Sequence, residues 1–254
     1  MNHARIAELL QPFLGISGNA VISSELCPSQ PAEAGKKPAL LSPLQLQLIS
    51  TYIDILVRWN ARINLTSIRD PEEIVTRHFG ESLFAACHLF PSGSSVPRLS
   101  QASVSSVPCS GVKDFARPRV ADLGSGAGLP GLPIKLWAPH IALTLIESNQ
   151  KKATFLREVT RTLILTDVNV HPDRAETLAT PSGFDLVTLR AVERFAEVVS
   201  IAARLVSPAG RLALLIGTSQ LHQAQTILPD FSWQEPLAVP ISHSRILLVG
   251  HRDC

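Results

Sequence analysis

From residue 119 onward, short runs of β-branched and aliphatic residues alternate with stretches in which apolar positions recur every three or four residues. The first pattern suits strands buried on both faces, and the second suits helices that cover them. The alternation therefore predicts βαβ units around a mainly parallel sheet. The expected strands are Arg119 to Leu123, Ala142 to Glu147, Val168 to His171, Phe184 to Arg190, Arg211 to Ile216 and Ile246 to Gly250. Helices are expected near Pro130 to Ala138, Gln150 to Leu163, Glu193 to Leu205 and Ser219 to Leu228. Pro236 and Pro240 interrupt the last stretch, which favours a hairpin-like antiparallel final strand over another crossover.

Upstream, two helices are signalled at their starts. Ser42-Pro43-Leu44-Gln45 is a capping box with proline at the first helical position, and Leu44, Leu48, Tyr52, Ile53, Leu56 and Trp59 follow on one face. Asp70-Pro71-Glu72-Glu73 repeats the device ahead of Ile74, Val75, Phe79, Leu83 and Ala86. Residues 1–90 are thus expected to form an amino-terminal helical cap with an irregular segment at 15–41. Residues 91–118, rich in Ser and Pro, read as an insertion or linker, and 119–254 as the α/β domain.

The junction after the first of these strands carries the strongest chemical signal. Val120 to Gly131 reads Val-Ala-Asp-Leu-Gly-Ser-Gly-Ala-Gly-Leu-Pro-Gly. Gly124, Gly126 and Gly128 let a ligand approach the backbone and permit positive φ where strand turns into helix. The free N–H groups of that helix start then face the ligand. Asp122 stands at the carboxyl end of the strand, where open α/β sheets bind ligands. An acid there suits the sulfonium and ammonium groups of S-adenosyl-L-methionine better than a dinucleotide pyrophosphate. A P-loop is excluded, because Leu132-Pro133 follows Gly131 where Lys and Ser/Thr would be required. Glu147, ending the second strand, is placed to accept from ribose hydroxyls.

Composition narrows the remaining choices. With 45% hydrophobic and 17% charged residues the chain is ordinary globular material, and its formal charge of +2 demands that any basic footprint be local. Met1 to Leu10 lacks a signal-peptide core and no apolar run reaches transmembrane length, so a cytoplasmic protein without a membrane partner is expected, as a monomer. Cys27, Cys87, Cys109 and Cys254 lie far apart without C-x-x-C spacing, so no metal site is expected. Pro108-Cys109 matches the nucleophile motif of RNA cytosine-5 methyltransferases, but it precedes the glycine loop instead of following a later strand.

Several elements together resemble the bacterial small-subunit rRNA methyltransferase G family, also called GidB. They are Trp59-Asn60, Asn64-Leu65-Thr66, Arg69-Asp70-Pro71, Arg77-His78, Glu81-Ser82, the loop from Gly124 to Gly131, Lys151-Lys152, Phe155-Leu156-Arg157, Arg174-Ala175-Glu176 and Arg190-Ala191. The resemblance implies a doubly wound class I S-adenosylmethionine-dependent methyltransferase fold, Rossmann-like, with an amino-terminal helical cap. It also implies methyl transfer to N7 of a guanosine in the decoding-region loop of 16S rRNA, either free or within an assembling small ribosomal subunit. By position, Gly124, Leu129, Ala175, Glu176 and Arg190 would contact the cofactor. The family usually has Asp where Glu81 and Glu147 stand, and Lys where Ile216 precedes Gly217.

Guanine N7 carries a lone pair and no proton, so the reaction requires alignment and no general base. Asn64, His78 and Arg190 are the candidates for positioning. Because N7 faces the deep groove of A-form RNA, the target must be exposed or splayed out. Arg58, Arg62, Arg69 and Arg77, with Lys151, Lys152, Arg157 and Arg161, are candidate phosphate contacts. An NAD-dependent Rossmann oxidoreductase and a non-catalytic RNA-binding ribosome assembly factor are the competing readings; Asp122 and the lack of a hydride-transfer site weigh against the first, and the intact loop with Glu147 and Arg190 against the second.

Overall fold

The computed structural model describes residues 1–15, 40–91, 117–191 and 194–252. The expected irregular segments, and with them Cys27 and Cys109, fall almost wholly outside the described residues. The cap comprises α1 (His3–Leu14), α2 (Pro43–Ile63), α3 (Pro71–Glu73), a π-helical stretch Ile74–Gly80 and α4 (Glu81–Leu89). The α/β part follows as β1 (Arg119–Leu123), α5 (Gly131–Trp137), β2 (Ala142–Ile146), α6 (Gln150–Thr162), β3 (Val168–His171) and β4 (Phe184–Arg190). It continues with α7 (Phe195–Leu205), β5 (Val206–Gly217), α8 (Leu221–Ile227), β6 (Phe231–Trp233), β7 (Leu237–Ala238) and β8 (Arg245–Arg252).

The strands form one sheet in the order β3-β2-β1-β4-β5-β8-β6, with β7 also paired to β8. From β3 to β5 all neighbours are parallel, and β8 runs antiparallel to β5, as the prolines before it predict. Chain order reverses between β1 and β4, which opens a crevice at the carboxyl ends of the two central strands. One face of the sheet, with Val120, Leu143, Leu186 and Leu215, packs beneath the cap, α5 and α6; the other, with Ala121, Val187 and Leu214, packs on α7 and α8. The cap therefore shares its core with the sheet.

Most expected elements lie within a few residues of their observed ends. Two differences have physical causes. β5 begins at Val206, five residues early, because Val206 pairs with Phe184 before a register shift in the ladder. Helix α1, not anticipated, is capped by the Asn2 side chain on Arg5 N–H and buries Ile6, Leu10, Phe13 and Leu14. In α2, Leu44 is exposed while Ile49 and Ile55 are buried, so the inward face sits further along the helix than expected. Among the described residues, no helix is long and apolar enough to cross a membrane.

Candidate functional site

The turn out of β1 is fixed from below. Gly124 and Ser125 N–H groups donate to Ile146 O, and Ser125 Oγ donates to Asp122 O at 2.8 Å. Gly124, Gly126 and Gly128 all have positive φ, as their spacing predicts. Their surroundings differ, however. A Cβ on Gly126 would meet nothing nearer than 3.8 Å, so this position opens into space. A Cβ on Gly128 would stand 2.5 Å from the Tyr52 hydroxyl and from Leu132, so this glycine serves close packing under the cap. Tyr52 Oη donates to the Ala127 carbonyl, which clamps the loop to α2.

Asp122 does not face the cavity its position suggested. It is buried, with Oδ2 accepting from Gly131 N–H at 3.2 Å and Oδ1 from the Thr188 hydroxyl at 2.8 Å. Burial raises its pKa to about 6, and those hydrogen bonds pull the other way. The acid thus ties β1 to β4 and to the start of α5, and its expected role as a cofactor contact is corrected to support of the loop.

Glu147 takes the place at the cavity wall. Its Oε2 accepts from Gly126 N–H and its Oε1 from Asn149 N–H, both at 2.8 Å, which leaves each oxygen a further lone pair. Two cavities share Gly124, Glu147, Lys152 and Ala191. The first, of about 440 Å³, extends over Asp173, Ala175, Glu176 and Glu197, with Arg174 and Arg194 at its side. The second, of about 390 Å³, lies between the loop and the cap and is lined by Gly126, Leu129, Thr66, Arg77, His78, Arg190 and Arg245. Four acids face three basic side chains in the first, whereas four basic side chains face Glu147 alone in the second.

Arg190 closes the second cavity from beneath. Its Nη2 donates to Arg77 O at 2.6 Å and to Glu81 Oε2 at 3.0 Å, while Arg245 Nη2 reaches the same carboxylate oxygen at 3.2 Å. The π-helical stretch positions the carbonyls that Arg190 reaches, a local widening of the kind that recurs at functional sites. Burial lowers the Arg190 pKa to about 10, with Glu81 opposing the shift. His78 is held near 3 by burial and by the Arg190, Arg77 and Arg245 charges, so its ring is neutral. Its Nδ1 faces Arg190 Nη2 at 3.4 Å and its Nε2 faces Thr66 Oγ1 at 2.7 Å. The guanidinium can only donate, so the partners assign the ring proton to Nε2.

The other expected residues divide clearly. Asn64 ends α2 in the left-handed conformation and accepts from Arg69 Nη2, so its side chain caps the helix while the next residue, Leu65, lines the second cavity; Asn60 accepts from Thr66 N–H. Arg58, Arg62, Arg69, Arg77, Lys151, Arg157 and Arg161 are exposed, and Arg77 and the half-buried Lys152 reach the second cavity. Arg245 and Thr188 escaped the sequence reading as single residues with no motif of their own around them, and Thr66, quoted within Asn64-Leu65-Thr66, was given no role there. Arg245 and Glu81 are 164 positions apart, and only the packing of β8 under the cap brings them together.

Comparison with known proteins decides the family. The model of the rRNA small subunit methyltransferase G family, GidB, matches residues 45–96 and 96–245. The chain belongs to this family. Ribosomal RNA small subunit methyltransferase G of Xanthomonas campestris pv. campestris (strain 8004) is 36% identical over 80% of this chain and 84% of its own length. The protein of the same name from Stenotrophomonas maltophilia (strain K279a) is 37% identical over 82% and 85%. Among solved structures the chain is similar to a SAM dependent methyltransferase from Aquifex aeolicus, 16% identical over 53% of this chain and 81% of that one, with a TM-score of 0.45. The family assignment rests on the sequence relatives.

Proposed function

We propose that this chain is an S-adenosylmethionine-dependent rRNA methyltransferase that acts on N7 of a guanosine in the decoding-region loop of 16S rRNA. The observation that carries the reading is the glycine loop standing between two cavities, one mixed in charge and slightly acidic and the other strongly basic. S-adenosylmethionine, when bound, supplies a sulfonium-activated methyl group. The residues present fit it: Gly126 leaves a space that a Cβ would fill, and Glu147 retains lone pairs for ribose hydroxyls. Ala175 and Glu176, on the turn after β3, line the same cavity, and their backbone N–H groups would hold an adenine edge.

The second cavity takes the acceptor base. Arg77, Lys152, Arg190 and Arg245 give it the positive potential that phosphates require, and uncharged His78 and Thr66 add hydrogen-bonding groups beside the loop. Neutral His78 has both nitrogens engaged, so it positions and does not abstract a proton, in accord with a nucleophile that has no proton to lose. The buried Arg190 and Glu81 hold cap and sheet at fixed separation, and alignment is what this reaction needs.

Two experiments test the reading. S-adenosylmethionine is expected to raise the melting temperature and NAD to leave it unchanged; the reverse would assign the loop to a dinucleotide. Incubation with methyl-labelled S-adenosylmethionine and unmethylated 16S rRNA is expected to give labelled N7-methylguanosine on nucleoside analysis. Label on another nucleoside would overturn the N7 assignment.

A further inference from the structure

A third cavity, of about 350 Å³, lies on the cap side of the β7–β8 loop and includes Thr76, Arg77, Ile241, His243, Ser244 and Arg245. Arg77 and Arg245 also line the acceptor cavity, so the two spaces are one side chain apart. Glu81, the acid in its wall, is buried and already answers Arg190 and Arg245 through Oε2. Two arginines, Arg77 also in an exposed pair with Glu73, together with an imidazole and hydroxyls face this space, and Glu81 is the one acid among the described lining residues.

The loop is built and held. Thr218 N–H donates to Ser244 O at 2.8 Å, Val239 N–H donates to Arg245 O at 3.0 Å, and Arg245 N–H donates to Ser242 Oγ at 3.2 Å. Arg245 Nε is buried without a hydrogen-bond partner, a state that costs free energy until an acceptor arrives. At the rim, Ile241 is 70% exposed with φ of 59°. A β-branched residue is disfavoured there, and such strain is retained where surroundings or function hold it.

We propose that this cavity binds the phosphate and ribose of the nucleotide next to the target guanosine, with Ile241 set against that nucleotide's base. The inference rests on the RNA-methyltransferase reading and extends it: the RNA leaves the acceptor cavity across Arg77 and Arg245 toward β8, in addition to crossing α6. Arg245 thereby supplies positive charge beside Gly217, its partner in the β5–β8 ladder. An apolar side chain at the rim fits a splayed target, since it covers base surface that loses its stacking neighbour.

The test uses the full chain, with unmethylated small ribosomal subunits and naked 16S transcript as RNA. His243→Glu combined with Ser244→Glu places acids where phosphate is expected without touching Glu81 or Arg190. It should weaken RNA binding about tenfold or more at ~0.1 M salt while S-adenosylmethionine affinity and melting temperature hold. Ile241→Gly relieves the positive φ, so it should not lower the melting temperature, yet RNA affinity should fall several-fold. Wild-type RNA affinity in both variants would overturn the proposal, and so would loss of S-adenosylmethionine binding in the acidic variant. If the wild-type protein itself neither binds nor methylates RNA, the functional reading fails first, a result distinct from failure of the variants alone.

Discussion

The two cavities on either side of the glycine loop differ in charge and in the elements that build them. Glu147 and Lys152 stand in the wall of both; the first adds Asp173, Glu176 and Glu197 against Arg174 and Arg194, and the second adds Arg77, Arg190 and Arg245 around a neutral histidine. The first is built on strand ends and following turns of the sheet; the second needs the cap to complete it. On the proposed reading, a general α/β ligand crevice takes a second substrate because a helical layer is clamped onto it by Tyr52, Arg190 and Glu81.

The largest expected effect comes from breaking that clamp. Glu81→Ala leaves the buried Arg190 charge without its carboxylate, and a loss of about 3–5 kcal/mol in unfolding free energy is expected by denaturant titration. A loss below ~1 kcal/mol would show that the carbonyls of Arg77 and His78 suffice. Next is Gly126→Val, which sends a branched side chain into open cavity at a left-handed position. Calorimetry should show S-adenosylmethionine affinity reduced roughly hundredfold, or about 2.7 kcal/mol, in a protein that remains folded, with RNA affinity little changed.

Lysines at the start of α6 sharpen the contrast. Lys151 is exposed, while Lys152 lines both cavities. Lys151→Ala should lower the slope of log RNA affinity against log salt by about one and spare the cofactor; Lys152→Ala should lower the slope and also weaken S-adenosylmethionine binding modestly. Identical behaviour of the two would remove Lys152 from the shared wall.

The smallest expected effect is on pH dependence. His78, at about 3 when folded against 6.5 ordinarily, leaves the unfolded chain binding more protons between those values, so its contribution to stability falls as pH drops below 6.5. Asp122, raised to about 6 from 3.8, acts oppositely: the folded state binds the extra proton, and stability falls as pH rises through that window. His78→Asn should therefore flatten the acid-side loss, read as melting temperatures at pH 7 and 5.

The sheet was legible because strands buried on both faces and helices with one apolar stripe leave distinct local periods, and the capping box at Ser42 and the N-cap at Asp70 mark true starts. The glycine loop was legible for the same local reason. Roles that depend on partners far along the chain were not. Asp122 looks ligand-facing until Thr188, 66 residues later, is seen to occupy its oxygen. Gly128 looks like a ligand approach until Tyr52 fills the space beside it. Arg245 carries no local signal, and its place follows from β8 entering the sheet beside β5. Helix α1 had readable spacing at Ile6, Leu10 and Phe13, but Pro12 within its last turn disguised its length.

The central claim is that the basic cavity serves RNA and the acidic cavity serves the cofactor. Arg77→Glu tests it most directly, since this exposed side chain lines the basic cavity alone of the two and its ion pair with Glu73 is a surface pair of small worth. Both dissociation constants are measured on the same protein at several salt concentrations. RNA affinity is expected to fall about tenfold or more with a shallower salt slope, and S-adenosylmethionine affinity to stay unchanged and nearly salt-independent. Lost cofactor binding with wild-type RNA affinity and slope would contradict it.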